Sequence, residues 1–241
     1  VRAVLDFNRA HLSEAPISVA LNALIEATEP PEENTRHYLG ASSIGAECLR
    51  RVQYDWWVDP AHLSRTRDIF RRGHLLEELS RQHLIRAGFK LAPAERLGFS
   101  AAGGLFRGHA DGIIVGGPEL PGVVFPCLWE HKALGDKGWR ALERDGIEKA
   151  YPQYAAQVWL YQAYLDVTEQ PAIFTAVNAN TMERLHLLVS FDAAQAQAWS
   201  DRAVAIIKAT QAGELLPRAY DDSKDWRCRV CTHAARCWGS G

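Results

Sequence analysis

The middle of the chain gathers the side chains best suited to chemistry. Gly108-His109-Ala110-Asp111-Gly112 falls in one extended run, and Glu130-His131-Lys132 falls in the next. Residues two apart on a strand share a face, so Glu130 and Lys132 project together while His131 turns away. Carboxylates from neighbouring strands plus one lysine can hold a hard cation and orient a water. Carboxylate oxygens suit Mg²⁺ or Mn²⁺, and such an ion stabilises charge on a phosphate under attack. Upstream, Arg72-Gly73-His74-Leu75-Leu76-Glu77 puts His74 and Glu77 on one face of a helix. Glu78 is rotated by about 100° from Glu77, which makes Glu77 the better extra ligand. Downstream, Gln157 and Tyr161 form one polar stripe on an otherwise apolar helix. His109 faces the same way as Asp111 and reads as hydrogen-bonded support. Taken singly, an E-x-K is commonly a solvated ion pair and a D-G a turn, so the signal lies in their order.

The cysteines form a second constellation. Cys228, Cys231 and Cys237 have metal-site spacing, and three thiolates need a fourth partner. His233 could complete a local zinc site, or the distant Cys48 a four-cysteine site; spacing leaves both open. Cys127 lies in an apolar run and reads as a small core residue. An odd number of cysteines without a secretory leader argues against a disulfide framework.

A third feature is basic. Between Leu49 and Arg72 the chain carries six arginines (Arg50, Arg51, Arg65, Arg67, Arg71, Arg72) against three aspartates, with Trp56 and Trp57 among them. Arginine for phosphates and tryptophan for base stacking would suit a single strand of nucleic acid. The whole chain of 241 residues has 27 basic and 29 acidic residues, a net charge of −2. Any pull on nucleic acid is therefore local. With 47% hydrophobic and 23% charged residues, composition is that of a soluble globular domain and excludes a disordered or collagen-like chain. The longest apolar run, Val123 to Trp129, is far short of a membrane span, and no basic-then-apolar leader opens the chain. A cytoplasmic protein without membrane association is expected.

These side chains must be positioned by regular elements. Helices are expected over Ile17 to Ile25 and Asp68 to Ala87, the latter closed by Gly88. Strands are expected over Arg96 to Ser100, Leu105 to Val115 and Val123 to Lys132. Pro152 opens a helix running to about Asp166, and Ala172 to Val177 and Arg184 to Val189 read as strands. Asp192 caps a last helix reaching about Ala212. The order is that of an α/β fold. It divides into an N-terminal helical arm (1–66), a core (67–212) and a cysteine-rich C-terminal segment (213–241).

The succession G-H-x-x-E, D-G, E-x-K and Q-x-x-x-Y over residues 42–238 resembles the PD-(D/E)XK nuclease superfamily, and within it the RecB-type nucleases. The resemblance implies a central mixed sheet flanked by helices. Asp111 and Glu130 become metal ligands, with His74 or Glu77 as a further one and the His131 carbonyl nearby. Lys132 becomes the water-orienting group, and Gln157 and Tyr161 a support on the substrate side. His74 directly follows Gly73, whereas many relatives carry their histidine farther along that helix, so the upstream ligand stays open. The iron–sulfur branch of these nucleases (CRISPR-associated nucleases, AddB, exonuclease V) has one cysteine before the core and three after it. By that likeness Cys48, Cys228, Cys231 and Cys237 would hold a 4Fe–4S cluster, joining arm to tail as an iron–sulfur tail.

The implied activity is Mg²⁺- or Mn²⁺-dependent hydrolysis of DNA, by an exonuclease favouring single strands, in recombination, repair, or phage or CRISPR DNA processing. DNA would be contacted by Arg50, Arg51, Arg71 and Arg72. The chain has no Walker A pattern, so a helicase or recombination protein would be a separate partner. The rival readings are a non-catalytic DNA-binding subunit of the same fold and a structure- or sequence-specific endonuclease with a zinc tail.

Overall fold

In the computed structural model the described residues are 15–30, 37–57 and 64–239. The first helix, α1 (Pro16–Thr28), carries proline in its first turn, where a missing N–H costs nothing, and buries none of its residues. After β1 (Leu39–Gly40) come α2 (Leu49–Trp57) and the long α3 (Ser64–Arg86). Beyond α3, Gly88 takes φ +93°, the left-handed geometry that ends a helix. The Glu26 carboxylate of α1 accepts from the Ser64 N–H at 2.8 Å, which ties the arm to α3.

Strands β2 (Lys90–Leu91), β3 (Gly98–Ala101), β4 (Phe106–His109), β5 (Gly112–Gly116) and β6 (Cys127–Leu134) follow. Next come α4 (Asp136–Ala150), α5 (Pro152–Tyr164), β7 (Ala172–Asn178), β8 (Arg184–Val189) and α6 (Ala193–Gln211). Two short helices, α7 (Trp226–Arg229) and α8 (Ala234–Trp238), close the described chain. The strands form a three-stranded sheet, β1-β4-β3, and a five-stranded sheet, β2-β5-β6-β7-β8. In the larger sheet β6 runs antiparallel to β5 and parallel to β7. The sheet is mixed and flanked by helices, as the sequence predicts.

Three expectations are corrected. The run Leu105 to Val115 is not one strand: β4 belongs to the small sheet and β5 to the large one. The chain changes sheets at Ala110 and Asp111, which belong to neither strand, and the Ala110 N–H turns to the Leu97 carbonyl at 2.8 Å. Alternation reports strand on both sides of such a break and cannot register it. The third strand begins at Cys127 rather than Val123, since Pro126 has no N–H for a ladder. Helix α4 goes unforeseen because Gly138 and Gly146 and many charges mask the face formed by Trp139, Leu142 and Ile147.

The core lies between the large sheet and α5, whose residues Ala155 to Gln162 are all buried. The small sheet is fastened to α5 by aromatic rings: Phe99 stacks on Tyr164 at 4.4 Å and meets Tyr161 edge-on at 6.1 Å. Gly108 makes this approach possible. A Cβ there would stand 2.4 Å from a Phe99 ring carbon and 2.5 Å from a Tyr161 ring carbon. No helix among the described residues is long and apolar enough to cross a membrane.

Gly108→Ala should therefore force buried rings apart, at a cost of roughly 1–3 kcal/mol. Urea unfolding monitored by circular dichroism checks this, and an unchanged midpoint would show that the rings can yield.

Candidate active site

Glu130 stands on β6 in register with Phe174 of β7, one residue past the last pair with β5, and is completely buried. Its Oε1 receives the Lys132 ammonium at 2.5 Å, while its Oε2 has no hydrogen-bond partner among the described residues. Lys132 Nζ also donates to the His131 carbonyl at 3.1 Å. Strand β5 pairs with β6 from Gly112–Trp129 onward. Beyond that pair the His131 N–H donates instead to Asp111 Oδ2, at 2.7 Å. Asp111 is thus placed by the sheet-to-sheet break and held by the next free donor along β6.

Glu77 reaches the same place from α3. Burial raises its carboxyl, the nearby Asp111 raises it further, and His74 and Lys132 oppose the rise. Burial likewise raises Glu130, followed by Asp111, against the pull of Lys132. Burial alone would lower Lys132, but Glu130 and Asp111 hold its ammonium above the ordinary lysine value. Glu77, Asp111 and Glu130 face one ammonium, and the surplus of negative charge adds to burial in making Glu77 and Glu130 hold protons to higher pH.

His131 points away into the core, with Nε2 3.1 Å from Ser80 Oγ of α3. Burial lowers it to about 4, so the ring is neutral. Gln157 Nε2 donates to the Tyr161 hydroxyl at 3.0 Å, both buried, and burial raises Tyr161 with Glu130 adding to the effect. His109 ends β4, exposed, rather than sharing a strand face with Asp111. His74 is exposed, 3.6 Å from Glu77 on its outer side. Glu78 bonds Arg81 and Gln82 on the surface, away from the site.

One neighbour went unnoticed in the sequence. Lys132 Nζ lies 5.4 Å from the centre of the Tyr154 ring. Tyr154, Gln157 and Tyr161 stand at i, i+3 and i+7 on α5, so helical spacing was the signal that could have found it.

Cys48, Cys228, Cys231 and Cys237 line one cavity of about 860 Å³, which Arg51, Arg218 and Arg227 also border. Arg218 Nε donates to Cys237 Sγ at 3.3 Å. Cys127 is fully buried, and burial pushes its thiol up to about 11.

Among the described residues, no group of three or more His, Cys, Asp or Glu side chains is gathered to hold a metal ion. This corrects the expected 4Fe–4S cluster and its iron–sulfur tail: the four thiols border a broad cavity without converging. It corrects the His233 zinc alternative too. The expected Mg²⁺ or Mn²⁺ site is corrected on the same finding: one oxygen of Asp111 is committed to the His131 N–H and one of Glu130 to Lys132. The arm and tail are instead joined by polar contacts of the protein. His233 Nε2 lies 2.8 Å from Asp55 Oδ1. The fully buried Gln53 side chain bonds the Glu214 carbonyl at 2.6 Å and the Leu216 N–H at 3.0 Å.

The arginines expected to meet DNA divide. Arg50 Nε donates to the Leu216 carbonyl at 2.7 Å, and Arg71 pairs with Glu29 at 2.5 Å and Asp68 at 2.9 Å. Arg51 and Arg72 are exposed, Arg51 with Asp55 at 3.7 Å. Trp56 packs against the core, and the side chain of Trp57 lies outside the described residues.

No family model matches the chain, and no curated protein matches it. Among solved structures it is similar to an alkaline exonuclease, LHK-Exo from Laribacter hongkongensis. The TM-score is 0.53 at 16% identity, over 74% of this chain and 90% of that one. This chain shares the fold of an alkaline exonuclease. LHK-Exo in complex with dAMP gives a TM-score of 0.50 at 16% identity, over 73% and 89% of the two chains. The protein SSO0001 gives 0.50 at 16% identity, over 91% and 93%. What is shared is the mixed sheet with flanking helices.

His233→Ala should loosen the tail, because it leaves Asp55 without its buried partner, at roughly 1–3 kcal/mol. In limited proteolysis the segment after α6 should be cut faster than in the wild type. Equal protection would show that Gln53 and its carbonyl partner hold the tail without help.

Proposed function

We propose that this chain is a RecB-type deoxyribonuclease, an exonuclease favouring single strands. The observation that supports it best is the buried Glu130–Lys132 pair beside Asp111, in a fold shared with an alkaline exonuclease. In this reading a carboxylate takes a proton from a water that the Lys132 ammonium orients; the water oxygen bonds to phosphorus, the P–O bond to the leaving sugar oxygen breaks, and the carboxyl returns its proton to that oxygen. A carboxyl raised by burial and like charge is suited to proton transfer near neutral pH. Glu77 shapes the charge around them, and Gln157 and Tyr161 line the substrate side. Exposed Arg51 and Arg72 would meet phosphates along the strand, with Arg50 and Arg71 behind them keeping α2 and α3 in place. DNA is the partner, and any helicase or recombination protein would act beside this chain.

Digestion of linear against circular single-stranded DNA tests the reading. Linear strands should be degraded and circles spared. Asp111→Ala, Glu130→Gln and Lys132→Ala should each lower the rate by at least roughly 10²–10⁴-fold. The losses should not add, because the three residues act on one water and one phosphate. Circular dichroism must accompany Lys132→Ala, which strands a buried carboxylate at roughly 3–5 kcal/mol. Near-wild-type rates in any two variants would remove the assignment. DNA binding without hydrolysis by the unaltered protein would favour the non-catalytic subunit.

A further inference from the structure

Three neighbours surround the Lys132 ammonium: Glu130 Oε1 at 2.5 Å, the His131 carbonyl at 3.1 Å and the Tyr154 ring face at 5.4 Å. The first two belong to the lysine's own strand and draw the side chain back onto β6. The ring comes from α5, and from outside the strand Asp111 also acts on the ammonium through its charge. A ring face attracts an ammonium through its quadrupole while making no hydrogen bond, and does so more strongly where water is excluded. It can therefore hold the charge at a defined place and leave the N–H groups free to point elsewhere.

Tyr154 is itself braced. It stacks on Tyr151 at 4.9 Å and 22° and on Phe174 at 6.1 Å and 29°. Phe174 is the β7 residue in register with Glu130. The ring thus lies over the β6–β7 seam where the Glu130–Lys132 pair sits. Tyr154 also borders the cysteine-lined cavity of about 860 Å³. Without the ring, the ammonium would lose its contact with α5 and keep only its two bonds to β6.

We infer that Tyr154 is the positioning residue for Lys132, holding the ammonium through its ring face, with its hydroxyl dispensable. The inference rests on the nuclease reading above and adds to it a residue outside the Q-x-x-x-Y stripe. Because Lys132 acts at the reacting phosphate rather than along the bound strand, loss of the ring should appear in kcat and leave KM nearly unchanged.

The test compares Tyr154→Phe, Tyr154→Leu and Tyr154→Met on linear single-stranded DNA. The Phe variant should keep kcat within about twofold, while Leu and Met should lower it about tenfold, the factor a cation–π contact corresponds to in a barrier. A second readout does not depend on activity. In protein carrying ¹³C-labelled lysine, the Lys132 ε-methylene resonance is assigned by its loss in Lys132→Met. It should show an upfield ring-current shift in the wild type and in Tyr154→Phe, and lose that shift in whichever of the Leu and Met variants folds. A general packing defect would lower the melting temperature without separating Phe from Leu in this resonance. Full kcat in the Leu or Met variant, or a resonance unmoved by loss of the ring, overturns the inference while Lys132→Ala remains inactive. An active Lys132→Ala overturns the nuclease reading instead.

Discussion

A carboxylate buried without water must find a positive partner, and in this molecule the constraint falls on Glu130. It stands in the middle of β6, beside β7, where exposure is zero and the cost of an isolated charge is prohibitive. Lys132, two residues along the same face, supplies the partner. Much else follows. The strand must stay central for Glu130 to remain buried, and α5 must cover it. Breaking either half would leave the other uncompensated, so the site and the core's stability are one problem.

The two sheets solve the placement of Asp111. Had the chain continued as one strand, the residue would have taken its turn in the alternation, and the His131 N–H would have found a backbone acceptor. The change of sheet at Ala110 removes that acceptor and brings a carboxylate in its stead, at 2.7 Å. The irregular segment is therefore what turns an acidic side chain toward the Glu130–Lys132 pair. The aromatic seam of Phe99, Tyr161 and Tyr164, together with the bare face of Gly108, keeps the smaller sheet close enough for this.

Helix α2 and the segment after α6 meet for ordinary reasons. A buried glutamine bridging two backbone groups of the tail, and a histidine on an aspartate of α2, satisfy polar groups that folding would otherwise strand. These contacts join segments more than 150 residues apart. The thiols stand round the neighbouring cavity with arginines among them, one of which donates directly to Cys237 sulfur.

By itself the sequence determined what depends on local spacing. Glu130 and Lys132 share a strand face, Gln157 and Tyr161 share a helix face, and Glu77 rather than Glu78 turns toward the acidic group, because periods of 2 and 3.6 act within a few residues. The α3 stop at Gly88 and the Asp192 cap, which accepts from the Gln195 N–H at 2.9 Å, were legible for the same reason. Tertiary structure decided the rest. Whether two stretches of alternating residues are one strand or two in different sheets depends on partners distant in sequence, so the break at Asp111 left no local trace. Whether four cysteines converge depends on how α2 and the tail are docked, and spacing alone is silent on that. Helix α4, rich in glycine and charge, is held by the Trp139, Leu142 and Ile147 face it buries rather than by propensity. Tyr154 meets Lys132 only because α5 crosses over β6, a juxtaposition fixed by packing between elements and written in neither one.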